Sequence, residues 1–322
     1  MDQYNKINSL IIDNIDNQNK YLFFDIFNRN NELILICPIY ENLDINYDKI
    51  IPYYNGEELY YKNIVKCNDI YEQVVVIIFQ NICFEKEINI KIKYKEIEKE
   101  FIITNLIIDK NIYFLTHTTL FKDDYEVLEL FYDYYTKNGV DYFYLYYNGK
   151  IFDKLTEKVN NKNIILIEWD FKYYNETETY NHHAQMGQIQ HALYKYNKPF
   201  SKYSIYADLD EYIYFKDKTI VTYLKNNIYD FYRFLCIWVG TIDDNIPDKF
   251  PDKIKIDIKY ISVRSKCIYE NNKFYMVGIH FPRFDSYRYN YDIINTDIGR
   301  MLHFYNWTGV DRQLNDYTVI DI

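Results

Sequence analysis

Asp208, Leu209, Asp210 and Glu211 follow directly on an apolar run, 202–207, that reads as a β-strand. Side chains of an extended segment alternate, so Asp208 and Asp210 should project to one side while Leu209 packs to the other. Two carboxylates on one side make an oxygen site for a hard cation, and Mn2+ or Mg2+ held by few protein ligands keeps positions open for a diphosphate. Such a cation offsets the charge that develops on a departing nucleoside diphosphate. An Asp-x-Asp triplet alone could equally be a solvated turn at a strand end. Context brings the cation site level with that alternative: a helical pattern, Lys198-Pro199, an apolar strand, and then Asp-Leu-Asp-Glu-Tyr.

The elements that must position these residues are legible from periodicity. From 111 onward strands alternate with amphipathic helices, the grammar of an α/β domain with a mostly parallel sheet flanked by helices. A strand is expected at 113–118. A helix at 124–137 should bury Leu128, Phe131, Tyr132 and Tyr135, closed by Asn138-Gly139. Strands at 141–147 and 164–169 follow, then a helix at 182–196 with Ile189, Ala192, Leu193 and Tyr196 as its buried stripe. His182 and His183 diverge as helix neighbours and read as surface or supporting residues. In right-handed βαβ units, helix starts and strand ends share one rim. Gln185, Asp208 to Glu211, the turn from Thr116 to Asp123, and Asn148 should therefore converge, where open α/β sheets bind ligands. Residues 1–109 instead show β runs at 32–40, 73–80, 87–94 and 100–108, with strict alternation of Ile88, Ile90, Ile92 and Tyr94. They predict a small all-β, sandwich-like domain preceding an α/β domain over 110–322.

Composition narrows the function classes. A formal charge of −10 argues against a nucleic-acid partner, because phosphate backbones are held by clustered Lys and Arg. An acidic chain that binds a diphosphate needs a cation to do so. The five cysteines include no C-x-x-C pair, which argues against a disulfide framework or structural zinc and fits a reducing compartment. Apolar runs such as 74–79 are too short to span a bilayer, and the start carries no basic stretch followed by an apolar run. The expectation is a cytoplasmic protein without a membrane span. Its 39 tyrosines are weak grounds for a sugar-stacking surface, since Ile, Asn, Lys, Tyr and Phe all abound, as A/T-rich codons dictate.

The stretch 185–212, QMGQIQHALYKYNKPFSKYSIYADLDEY, resembles the central segment of glycosyltransferase family 92, a branch of the nucleotide-diphospho-sugar transferases with the GT-A fold. Upstream, 120–149 resembles the family's first strand-helix-strand block, with Gly139-Val140-Asp141 as its turn and Asn148 at a strand end. Downstream, RSKCIYE and VGIHFP place Lys266 and His280 where the family has a Lys-bearing strand and a strand ending in His. MLHFYNW places His303 at the family's His-Tyr motif, except that Phe304 intervenes before Tyr305.

The resemblance implies transfer of a hexose from a UDP-sugar to a glycan or glycoconjugate hydroxyl, dependent on Mn2+ or Mg2+ and inverting. Asp208 and Asp210 match the metal and diphosphate site, and Glu211 the acidic residue beside it. His280 or His303 completes the metal shell; sequence does not separate them. Thr116, Thr118, Lys122 and Asn148 are expected around the nucleoside, with Lys266 on the donor side, and Gln185 either contacts the donor sugar or caps its helix. Inversion needs a base for the acceptor hydroxyl. Asp243 and Asp244 are the candidates, although WVGTIDDN departs from the family pattern and suits an exposed turn equally well. Two rivals stay open: a GT-A-fold carbohydrate-binding protein without catalysis, and a nucleotidyltransferase. The second generally needs a Gly-rich phosphate loop, and none lies between Thr116 and Asp124.

Overall fold

The structure is a computed structural model that describes residues 6–15, 18–29, 31–68, 73–80, 87–106, 112–174, 183–282, 288–305, 307 and 317–322. The chain divides into two compact units, one formed by 1–111 with 169–200 and the other by 112–168 with 201–322. The segment 169–200 thus groups with the amino-terminal residues, taking Gln185 with it.

The first unit contains β1 (Leu10–Ile15), β2 (Gln18–Phe23), β3 (Asp25–Arg29), β4 (Glu32–Cys37), β5 (Ile51–Tyr54), β6 (Glu57–Glu58), β7 (Tyr61–Asn68), β8 (Gln73–Phe79), β9 (Glu87–Tyr94) and β10 (Ile97–Leu106). β1 and β2 form a hairpin, and the others run in the order β6-β5-β9-β10-β3-β4-β8-β7. Every neighbouring pair is antiparallel except the short contact of β10 with β3. The alternation in β9 is realised, with Ile88, Ile90, Ile92 and Tyr94 all buried in one core with Leu33, Leu35, Val75 and Ile77. The helix His183–His191 also belongs here and buries every residue. Its amphipathic stripe is therefore no guide to its surroundings, and His183, expected near the surface, packs its ring against Phe24 and Tyr40. His182 lies outside the described residues.

The second unit is a mixed α/β domain around one ten-stranded sheet. Its strands are β11 (Tyr113–Phe121), β12 (Tyr142–Tyr147), β13 (Ile164–Glu168), β14 (Ser201–Tyr206), β15 (Glu211–Phe215), β16 (Phe231–Gly240), β17 (Lys253–Glu270), β18 (Tyr291–Ile293), β19 (Gly299–Phe304) and β20 (Thr318–Asp321). The main path is β13-β12-β11-β14-β17-β16-β19-β15. The parallel expectation holds for β13, β12, β11 and β14. Beyond β14 the sheet turns mixed: β17 runs antiparallel to β14 and β16, β15 antiparallel to β19, and β19 parallel to β16. The reason lies in the connections, because between β15 and β20 only one short α-helix, Ile220–Asn226, is available among the described residues to cover a crossover.

The helix Leu128–Lys137 buries Leu128, Leu130, Phe131, Tyr134 and Tyr135. It ends at Gly139, whose φ of +91° is readily adopted only by glycine and whose added Cβ would lie 2.5 Å from Val221. Tyr135 reaches across to donate to the Glu211 carbonyl at 2.6 Å and accepts from the Ile213 amide at 3.2 Å. A core helix thereby fixes the backbone that carries the acidic motif.

Candidate functional site

β14 ends at Tyr206, and Asp208 to Glu211 form a turn into β15, closed by the Glu211 amide on the Asp208 carbonyl at 3.1 Å. The motif is therefore not an extended segment, and the turn rather than strand alternation sets its side chains. Leu209 nevertheless enters the core, as expected. Asp210 and Glu211 are buried, whereas the Asp208 side chain retains 40% of its exposure.

Sheet register supplies the partners. β17 pairs Cys267 with Tyr206, so Lys266 stands one residue beyond, level with the turn. Its ammonium donates to Asp208 Oδ2 at 2.9 Å and lies 3.0 Å from Glu211 Oε2, which also accepts from the Asp208 amide at 2.8 Å. β19 pairs His303 with Glu211 on one side and with Trp238 of β16 on the other. The imidazole Nε2 is 3.2 Å from Asp210 Oδ2, its Nδ1 is 3.6 Å from Cys236 Sγ, and the Trp238 ring stacks on it at 4.4 Å.

Protonation follows from burial set against charge. Burial alone would raise the Asp208 carboxyl, but Lys266 outweighs it and holds Asp208 below the usual range. Burial raises the Glu211 carboxyl, and the nearby Asp208 charge adds to that against the pull of Lys266. Lys266 is held above its ordinary value despite burial, because two carboxylates face it. His303 is raised well above its ordinary value against the cost of burial, chiefly by Asp210. Burial, followed by the charges of Asp210, Asp123 and Asp208, pushes the Asp124 carboxyl up to about 6.

Asp124 is a member of this site that the sequence reading used only as a helix boundary. β11 runs to Phe121, three residues past the expected end, and the Asn148 amide donates to the Phe121 carbonyl at 2.8 Å. Phe121 to Asp124 and Asn148 therefore mark this end of the strand, with Lys122 exposed on the turn. Thr116 and Thr118 lie deeper: Thr116 Oγ1 is 2.8 Å from Ser204 Oγ and Thr118 donates to the Tyr144 carbonyl at 3.2 Å, both buried. Hydroxyls spent inside the sheet do not face a rim.

The two histidines part here. His303 meets Asp210, whereas the His280 ring nitrogen Nδ1 bonds the Ser265 carbonyl at 3.0 Å, and burial, with Lys266 adding to it, lowers its pKa to about 4. Asp243 is exposed and accepts within its own turn from Asn245. Asp244 pairs with Lys255 at 2.8 Å and accepts from Tyr305 at 2.9 Å. Gln185 lies in the first unit and accepts from Tyr173 at 2.9 Å. Cys236 and Trp238 went unnoticed in the sequence, although alternation along β16 puts them on one face.

The acidic, lysine-bridged turn thus lies at the end of a parallel strand in a mixed sheet, the rim at which open α/β sheets bind their ligands. The family model described as Glycosyltransferase family 92 matches residues 117–319, and the chain belongs to that family. Membership implies glycosyltransferase activity. A comparison with curated proteins returns no significant match. Among the described residues no helix is long and apolar enough to cross a membrane.

Proposed function

We propose that the second unit is a GT-A-type transferase that moves a hexose from a UDP-sugar to a hydroxyl of a glycan or glycoconjugate, with inversion and with Mn2+ or Mg2+. The carrying observation is the juxtaposition of Asp208, Glu211 and Lys266 with Asp210 and His303 at the end of β14. Asp208, Asp210 and His303 offer two carboxylates and an imidazole, a donor set suited to Mn2+, and the carboxylates crowding Asp124 supply the negative field a cation relieves. When bound, the cation neutralises charge on the departing diphosphate. Lys266 keeps Asp208 ionised, and Glu211 holds the turn by accepting the Asp208 amide. Lys122 and Asn148 lie on the donor side of that strand end. For the base we put Asp124 ahead of Asp243 and Asp244. Asp124 stands at the strand end within the field of Asp208 and Asp210 and is raised chiefly by burial, whereas Asp243 and Asp244 are held below the usual range by Asn245 and by Lys255 respectively.

The test is release of UDP from a panel of UDP-sugars with Mn2+. Transfer should fall roughly 100-fold or more in Asp210→Ala, the scale of several kcal/mol of charge stabilisation. kcat/KM should rise with pH along an acidic limb, since the base must be deprotonated. With Mn2+ bound that limb should lie below about 6, because the cation offsets the Asp208 and Asp210 charges that help raise Asp124, and Asp124→Asn should abolish it. Indifference of turnover to Asp210→Ala would sink the reading. One observation favours a metal-independent variant: Lys266 already bridges Asp208 and Glu211. Full activity in EDTA would select it, and glycan binding without turnover would select a non-catalytic protein.

A further inference from the structure

Cys236 has no part in the reading above, yet it completes a second constellation. One ligand atom each from Glu211, Cys236 and His303 lies within 4.8 Å of the other two. Sγ of Cys236 is 3.6 Å from Nδ1 of His303, and Oε1 of Glu211 is 3.7 Å from the same nitrogen. A tetrahedral ion bound at about 2.3 Å by sulfur and about 2.0–2.2 Å by nitrogen and oxygen needs ligand atoms about 3.4–3.6 Å apart. The two distances to His303 Nδ1 are thus close to those of such an ion, and the remaining one, between Cys236 and Glu211, is within 4.8 Å. A metal-bound histidine ordinarily donates its remaining ring N–H to a carboxylate. Here Nε2 faces Asp210 Oδ2 at 3.2 Å, and the stacked Trp238 ring holds the imidazole plane.

We propose that Glu211, Cys236 and His303 form a thiolate-containing cation site for a thiophilic ion such as Zn2+, overlapping the site at Asp208, Asp210 and His303 through the shared imidazole. Coordination releases to solvent both the Cys236 thiol proton and the Nδ1 proton of the His303 imidazolium, and leaves a fourth position for water. It also fixes a proton on His303 Nε2, so the imidazole cannot serve a cation at Asp210. Zn2+ is then an inhibitor that competes with Mn2+ for one ring. The competition rests on the transferase reading; the site itself does not.

Co2+ reports the site without any sugar donor. Titration of the EDTA-treated full chain should give a thiolate-to-cobalt charge-transfer band with strong visible d–d absorption, saturating at one equivalent and erased by Zn2+. Cys236→Ser should lose the band and weaken Zn2+ binding at least tenfold, while Cys267→Ser, whose thiol bonds the His280 carbonyl, should keep it. A wild-type chain without the band overturns the proposal, whether or not Cys236→Ser folds. So does a band that survives Cys236→Ser or vanishes in Cys267→Ser.

Discussion

Each unit buries a carboxylate, a lysine and a histidine together, and the two clusters behave in opposite ways. In the first unit Asp25 is wholly buried and accepts from Lys195 at 2.7 Å, from the Asn8 amide at 2.6 Å and from the Ile26 amide at 2.9 Å, with His191 Nε2 2.8 Å away. One carboxylate meets one ammonium, every acceptor site is used, and burial leaves His191 lowered to about 4. In the second unit Lys266 bridges Asp208 and Glu211, and Asp210 faces His303, whose pKa it raises. A balanced, closed cluster is an internal fastening between the segment 169–200 and β3. The second cluster gathers three carboxylates and leaves one of them, Asp208, 40% exposed. Residue types do not distinguish them; access does.

The comparison can be broken most severely at Asp25. Asp25→Ala strands a buried ammonium, and urea unfolding should show a loss of about 3–5 kcal/mol. A loss below 1 kcal/mol would mean that the fastening is ornamental. Next come the lysines. Lys195→Met should cost a similar amount, whereas Lys266→Met should cost less, because Asp208 can be solvated. Added Mn2+ should restore thermal stability to Lys266→Met and do nothing for Lys195→Met; equal rescue would erase the distinction.

The gentlest probe is pH. His117, His183, His191 and His280 are lowered to between about 3 and about 4, in each case chiefly by burial. The unfolded chain, with histidines near 6.5, takes up those protons first as pH falls, so stability should decline from about pH 6.5 down to about 3. His303 carries the opposite sign. Its raised pKa contributes stability that is complete below about 6.5 and is lost as pH rises through the folded value. His191→Gln should flatten the acid limb of the stability profile, and His303→Gln the alkaline limb.

The motif itself was legible because it is local. Asp208, Asp210 and Glu211 follow an apolar strand, the alternation in β9 can be counted, and the segments around Lys266 and His303 resemble the family independently of their partners. The end of β11 was placed three residues early, putting Thr116 and Thr118 at a rim they do not reach, because nothing local in LTHTTLF marks where pairing stops. The helix 183–191 defeated periodicity for a related reason: its burial comes from packing on all sides.

The sequence by itself marked Asp208, Asp210 and Glu211 as candidates and determined that parallel strands would lead to them. Only the tertiary structure decided that Lys266 bridges Asp208 and Glu211, that His303 rather than His280 meets Asp210, and that Asp124 and Cys236 join them. Those contacts are set by register between strands far apart in the chain. A one-residue slip would turn each of these side chains to the opposite face, and no local propensity records which register a mixed sheet adopts.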